Sequence, residues 1–215
     1  MMKRFGWFVL IGVVLASPAS ADRVRVFSMQ GADCAECGTK VVGELKKMKG
    51  VRRASFDKQR VELTVTVSDA TPDDAVLATI AKAGYVGFSG PGKGAYLPHP
   101  DYPKGADVRI ATHDGSAVGP LEQLRVAGKY TVLDVYADWC GPCRGVDARL
   151  RELTVTRTDL AVRKLNLVDF DSPLAKQLGP RLRALPHLIV FTPTGRRIEF
   201  EGADLAKLNA ALAAK

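Results

Sequence analysis

The chain has 215 residues, of which 47% are hydrophobic, 25% charged and 7% aromatic, a globular composition that excludes a disordered or fibrous chain. Four cysteines are too few for a disulfide-dense small scaffold. Lys and Arg number 31 against 23 acidic residues, a formal charge of +8. They are scattered rather than clustered, which reads as a solvated surface and not as a nucleic-acid or membrane-binding patch.

Lys3 and Arg4 open the chain, and Phe5 to Ala16 form an uncharged apolar run. Ser17-Pro18 breaks that run, and Ala19-Ser20-Ala21 places small residues where a signal peptidase reads. The run is shorter than the roughly 20 residues that cross a bilayer. Residues 1–21 are therefore expected to be a cleaved secretory signal peptide and not a retained anchor. The mature protein is then exported to the periplasm or an equivalent oxidising space, without stable membrane insertion.

Residues 22–89 read as a first domain. Val24 to Phe27 is a short strand, and after a cysteine loop Val41, Val42, Leu45 and Met48 fall at helical spacing up to Gly50. Val51 to Phe56 is a second strand. Val61, Leu63, Val65 and Val67 alternate with polar residues, as in a strand with one buried face. Thr71 is the expected N-cap of a helix carrying Val76, Leu77 and Ile80, with Pro72 at its first position and Asp74 in an approximate capping box. Tyr85 to Phe88 closes a βαββαβ order. Met29 is expected in the core.

Residues 90–105, GPGKGAYLPHPDYPKG, are dense in breakers and read as an interdomain linker, semi-rigid where the prolines cluster. Residues 106–215 then alternate strands and helices. Tyr130 to Tyr136 is a strand that runs into Trp139-Cys140-Gly141-Pro142-Cys143 and a helix. Ala161 to Leu167 is another, and Ser172-Pro173 caps a short helix ending near Gly179. Leu188 to Phe191 and Arg197 to Glu201 flank a Thr194-Gly195 turn, and Leu205, Leu208 and Leu212 mark a last helix. That order makes a mixed sheet in an α/β layer.

A Cys-x-x-Cys pair between a strand and a helix is suited to redox chemistry. The first cysteine meets the free N–H groups and the dipole of the helix N-terminus, which stabilise a thiolate. The segment VLDVYADWCGPCR, residues 132–144, closely resembles the active site of thioredoxins, and the likeness extends over the second domain through AVRKLNLVDFD and ALPHLIVFTPTGR. The resemblance implies a thioredoxin fold in which Cys140 attacks and Cys143 resolves, without a cofactor. It further implies that Asp134 is the buried carboxylate assisting the resolving cysteine, that Lys164 is its neighbour, that Pro186 is the cis proline beside the disulfide, and that Trp139 shields one flank. His187, where many thioredoxins have threonine, is expected to be a surface substitution.

Asp33-Cys34-Ala35-Glu36-Cys37 lies between the first strand and its helix. With the βαββαβ order and the Ala83-Gly84-Tyr85 ending, the first domain resembles heavy-metal-associated domains, the small modules of copper chaperones, metal-pumping ATPases and periplasmic mercury-binding proteins. This implies a small ferredoxin-like α+β domain in which Cys34 and Cys37 hold a soft ion, Cu(I) or Hg(II). Two residues depart from the pattern: Ala32 stands where the family usually has methionine, and Asp33 precedes Cys34 as in the zinc- and cadmium-pumping branch. Asp33 adds an oxygen donor that favours Zn(II) or Cd(II) as the alternative. A metal-free dithiol that exchanges disulfides with the second domain also fits this loop. His99 and His113 lack ligand-like neighbours and read as surface residues.

Phosphate-binding loops, a serine triad and nucleic-acid motifs are all missing from the sequence. Together the two resemblances imply an exported thiol–disulfide oxidoreductase, a disulfide reductase coupled to soft-metal handling. It would reduce its own metal-site cysteine pair or that of a client protein, with electrons from a membrane reductase. The alternative is a metal chaperone or sequestering protein whose second domain serves client recognition.

Overall fold

The computed structural model describes residues 21–215; residues 1–20, and with them the expected signal peptide up to its last residue, lie outside the described part. In the first domain, β1 (Asp22–Ala32), α1 (Ala35–Leu45), β2 (Val51–Asp57), β3 (Glu62–Ser68), α2 (Asp73–Lys82) and β4 (Val86–Ser89) follow the expected βαββαβ order. The strands lie in the order β2-β3-β1-β4, with every neighbouring pair antiparallel.

One face of this sheet supplies the core. Leu63, Val65 and Val67 of β3 are fully buried, as are Phe27 and Met29 of β1, beneath Val41 and Leu45 of α1 and Val76 and Ile80 of α2. Each such side chain contributes about 1.5–3 kcal/mol through removal from water. Gly38 lets α1 lie close to β2, because a Cβ there would run into the Phe56 ring. The start of α2 differs from expectation. Pro72, not Thr71, is the N-cap residue, and the Thr71 hydroxyl is instead 3.0 Å from that of Ser68. Asp73 and Asp74 complement the positive end of the helix.

The stretch read as a linker is no free tether. Its residues β5 (Ala95–Tyr96) add a fifth strand, parallel to β1. Lys93 N–H donates to Ser28 Oγ, Gly92 N–H to a Glu62 carboxylate oxygen and Leu97 N–H to the Ala32 carbonyl. Glycine makes this approach possible, since a Cβ on Gly94 would collide with the Arg60 and Val61 carbonyls. Breaker density was a sound sign that helix and inner strand end here. It carried no information about whether the backbone then finds partners.

The second domain continues with β6 (Asp107–Thr112), a 3-10 turn at Leu121–Leu124, β7 (Tyr130–Tyr136), α3 (Gly141–Thr156), β8 (Leu160–Asn166), α4 (Pro173–Leu178), β9 (His187–Phe191), β10 (Arg197–Glu201) and α5 (Leu205–Ala211). Its sheet order is β10-β9-β7-β8-β6, parallel across β7-β8-β6 and antiparallel across β7-β9-β10. Central β7 packs on both faces. Leu133 and Val135 meet Leu174 and Leu178 of α4, and Val132 meets Val146 and Leu150 of α3 and Leu208 of α5. A thioredoxin-type α/β layer thus follows a ferredoxin-like α+β layer. No helix among the described residues is long and apolar enough to cross a membrane.

Candidate functional site

β7 delivers the chain from the centre of the sheet to Cys140, which caps the N-terminus of α3: its sulfur accepts the Cys143 N–H at 3.2 Å, and Pro142 occupies the first turn. Cys140 and Cys143 are joined in a disulfide. Cys143 is fully buried and Cys140 is 4% exposed. The Leu185–Pro186 bond is cis, and Leu185 packs against the disulfide cluster. The Pro186 carbonyl accepts from Gly202 N–H at 2.8 Å. Trp139 borders the site, its indole N–H donating to the Val168 carbonyl at 2.7 Å.

The parallel register of β7 and β8 sets Asp134 opposite Lys164. Lys164 Nζ lies 2.5 Å from Asp134 Oδ2, both groups buried. The same ammonium lies 2.7 Å from Oδ1 of Asp147 in α3, also buried. Burial disfavours the Lys164 ammonium, but the two carboxylates outweigh it and raise Lys164 above its ordinary value. Burial likewise opposes the Asp147 carboxylate, yet His99, Lys164 and Tyr102 hold it well below the usual carboxylate range. Asp147 was missed in the sequence. The available signal was its position four residues after Cys143, a charged residue on the helix face that also carries Val146 and Leu150.

In the first domain, Cys34 caps the N-terminus of α1 and is half-buried, while Cys37 in the first turn is buried. Their sulfurs are 3.1 Å apart, and the Cys37 thiol donates to Asp33 Oδ1 at 2.9 Å. One donor atom from each of Asp33, Cys34 and Cys37 lies within 4.8 Å of the other two. This convergent S, S, O set fits a thiophilic ion. Burial, then the hydrogen bond with Cys37, pushes the Cys34 thiol up to about 12. The Cys37 thiol holds Asp33 below the usual carboxylate range. An ion bound here must therefore displace a proton from Cys34.

The two cysteine loops face each other. Ala35 N–H donates to the Trp139 carbonyl at 2.9 Å. Cys34 rests on Gly141, where an added Cβ would sit 3.0 Å from its Cβ and 3.7 Å from its sulfur. Arg144, directly after Cys143, donates to the Asp33 and Leu97 carbonyls, each at 2.6 Å. Lys58 Nζ stands 3.9 Å from the centre of the Trp139 ring.

Two of the three histidines depart from expectation, while His113 is exposed as read. His187 is 1% exposed, its Nε2 2.8 Å from Glu199 Oε1; β9 is buried along its whole length, so its residues do not alternate between core and solvent. His99 is largely covered, with its ring edge-on to Tyr136 and Nδ1 3.6 Å from Asp147 Oδ2.

The Thioredoxin family model matches residues 121–214, and the Heavy-metal-associated domain model matches residues 26–86. Chloroplastic thioredoxin F2 of Arabidopsis thaliana is 35% identical over 92 residues, 42% of this chain and 49% of that protein. The chain thus spans about half the length of that relative. Thioredoxin of Malassezia sympodialis is 32% identical over 99 residues, 45% of this chain and 91% of that protein. Among solved structures, oxidized MerP from Ralstonia metallidurans CH34 is 26% identical, covering 32% of this chain and 97% of that one, with a TM-score of 0.31. Through its second domain the chain belongs to the thioredoxin family, with a heavy-metal-associated domain fused ahead of it.

Proposed function

We propose that this protein is an exported thiol–disulfide oxidoreductase, working as a disulfide reductase, that serves soft-metal handling by reducing its own metal-site pair or an equivalent pair in a client protein. The observation that carries this reading is the seating of Cys34 on Gly141, beside Cys140. Export rests on the secretory pattern of residues 1–21, and a membrane reductase is the electron source that an exported dithiol requires.

In the reduced second domain, the Cys140 thiolate at the α3 N-terminus attacks one sulfur of a client disulfide and expels the other as a thiolate. Cys143 then attacks Cys140 of the mixed disulfide, losing its proton to the Asp134 carboxylate, and frees the client's second sulfur. Two electrons have passed to the client, which takes up two protons as it becomes a dithiol, and the Cys140–Cys143 disulfide remains. Lys164, with its Nζ 2.5 Å from Asp134 Oδ2, holds that side chain in place from one side. Trp139 and Leu185, the residue before the cis proline Pro186, pack against the two cysteines. Once reduced, Cys34 and Cys37 with Asp33 would hold the metal, whose role is that of cargo bound through sulfur.

The test uses Cys143→Ser, which stops the sequence at the mixed disulfide. The variant is oxidised with diamide at low protein concentration and its crosslinks are mapped by mass spectrometry. Cys140 joined to a first-pair cysteine within one chain is the expected result. A Cys34–Cys37 disulfide beside an unreacted Cys140 would sink the internal coupling.

A further inference from the structure

We propose that the first domain is a resident cap on the redox site, latched through Arg144 and Lys58, so that Cys34 is the sulfur offered to Cys140 and external protein disulfides gain entry only when the latch opens. This rests on the reading of Cys140 as the attacking thiol and adds what governs access to it.

The contacts ring the disulfide. On one side Ala35 N–H reaches the Trp139 carbonyl, a backbone bond between the residues next to Cys34 and Cys140. On the other side the Arg144 guanidinium spans two carbonyls, one on the cysteine loop at Asp33 and one at Leu97 on residues 90–105, the strap that runs along β1. Lys58, from the turn between β2 and β3, lies over the Trp139 ring, and its neighbour Gln59 donates to Asp169. All but the Gln59–Asp169 bond are polar contacts to Trp139 or Arg144, which flank the redox loop, and together they fix where the first domain sits. The position they fix brings Cys34, rather than the buried Cys37, against Gly141.

Two consequences follow. The internal mixed disulfide forms between Cys140 and Cys34: that S–S bond forms as the Cys34–Cys37 bond breaks, the electron pair leaves on Cys37, and Cys143 closes the Cys140–Cys143 disulfide while releasing Cys34 as a thiolate that takes up a proton. A folded client, in contrast, meets a surface already occupied. Its apparent affinity falls by the fraction of molecules that are open.

The experiment measures dithiothreitol-driven insulin reduction by the full chain, by Arg144→Ala and by a Lys58→Ala/Gln59→Ala double variant. The double variant alters only the first domain and leaves Arg144, the charge directly after Cys143, in place. Both variants are expected to raise kcat/KM on the order of tenfold by removing charge-assisted contacts. An increase confined to Arg144→Ala would mean a charge effect on the thiolate and would overturn the cap. Unchanged rates in both variants would overturn it too. If all three proteins are inactive, the cap falls together with the reductase reading, a case marked by failure of the Cys143→Ser trap as well. For the second consequence, that trap should yield Cys140–Cys34; a Cys140–Cys37 crosslink would refute the placement of Cys34.

Discussion

Lys164 reaches Asp147 at 2.7 Å while holding Asp134 at 2.5 Å, so a single buried ammonium ties strand β7 to helix α3 one turn after Cys143. Tyr102, at the end of the strap, also donates to Asp147 Oδ1 at 2.9 Å. The carboxylate thus joins the sheet, the helix that carries the cysteines and the segment arriving from the first domain.

Asp147→Asn removes one charge from this cluster and leaves Lys164 with one carboxylate. A loss of about 2–3 kcal/mol in unfolding free energy is expected from urea titration at neutral pH. Asp147 is held below its ordinary range, so its contribution is complete above the unfolded value of about 3.9 and fades as pH falls toward the folded value. Lys164 is raised, so its contribution is present below the ordinary lysine value and fades only as pH climbs past it. The native protein should therefore lose stability below about pH 4 more steeply than Asp147→Asn does. Parallel acid profiles would show that the carboxylate contributes nothing of this kind.

Gly38→Ala tests the packing of α1 on β2. The new methyl meets the Phe56 ring, and overpacking of this sort costs about 1–3 kcal/mol. Hydrogen exchange should place the loss in α1 and β2 and leave the second domain protected. Unchanged protection would mean that the ring rotates aside freely.

How far the sequence could be read follows from where the physics is local. The redox loop was legible because a strand pattern changes to a helical one across Cys140–Cys143, and β3 because Leu63, Val65 and Val67 alternate cleanly. Asp134 and Lys164 came only through family resemblance, since their pairing depends on the β7–β8 register. Strand β6 passed unnoticed because it is an edge strand with Arg109 and Ile110 exposed, so its sequence carries little alternation. The seating of one cysteine loop on the other was invisible. Lys58, Gln59 and Arg144 read as ordinary surface residues until the fold brings them together.

Gly94→Ala should loosen the strap, because its Cβ would meet backbone carbonyls that cannot swing away as a side chain can. The hydrogen bonds of Gly92 and Lys93 lie within two residues of it. Limited proteolysis is expected to cut residues 90–105 several-fold faster in the variant. Equal cleavage rates would show that the strap tolerates the displacement.

Replacing Asp33 separates the two classes of ion that the convergent S, S, O set could hold. Two thiolates suffice for Cu(I), whereas Zn(II) gains from a carboxylate oxygen and from higher coordination. Asp33→Asn should therefore weaken Zn(II) binding by at least about tenfold and leave Cu(I) affinity nearly unchanged in chelator competition. Cys34→Ser should remove high-affinity binding of both. The Cys34 thiol is pushed up to about 12, so at neutral pH either ion must release its proton, and affinity should fall as pH is lowered. If Asp33→Asn weakens Cu(I) as much as Zn(II), the carboxylate orients the thiols through its bond to Cys37 rather than acting as a ligand.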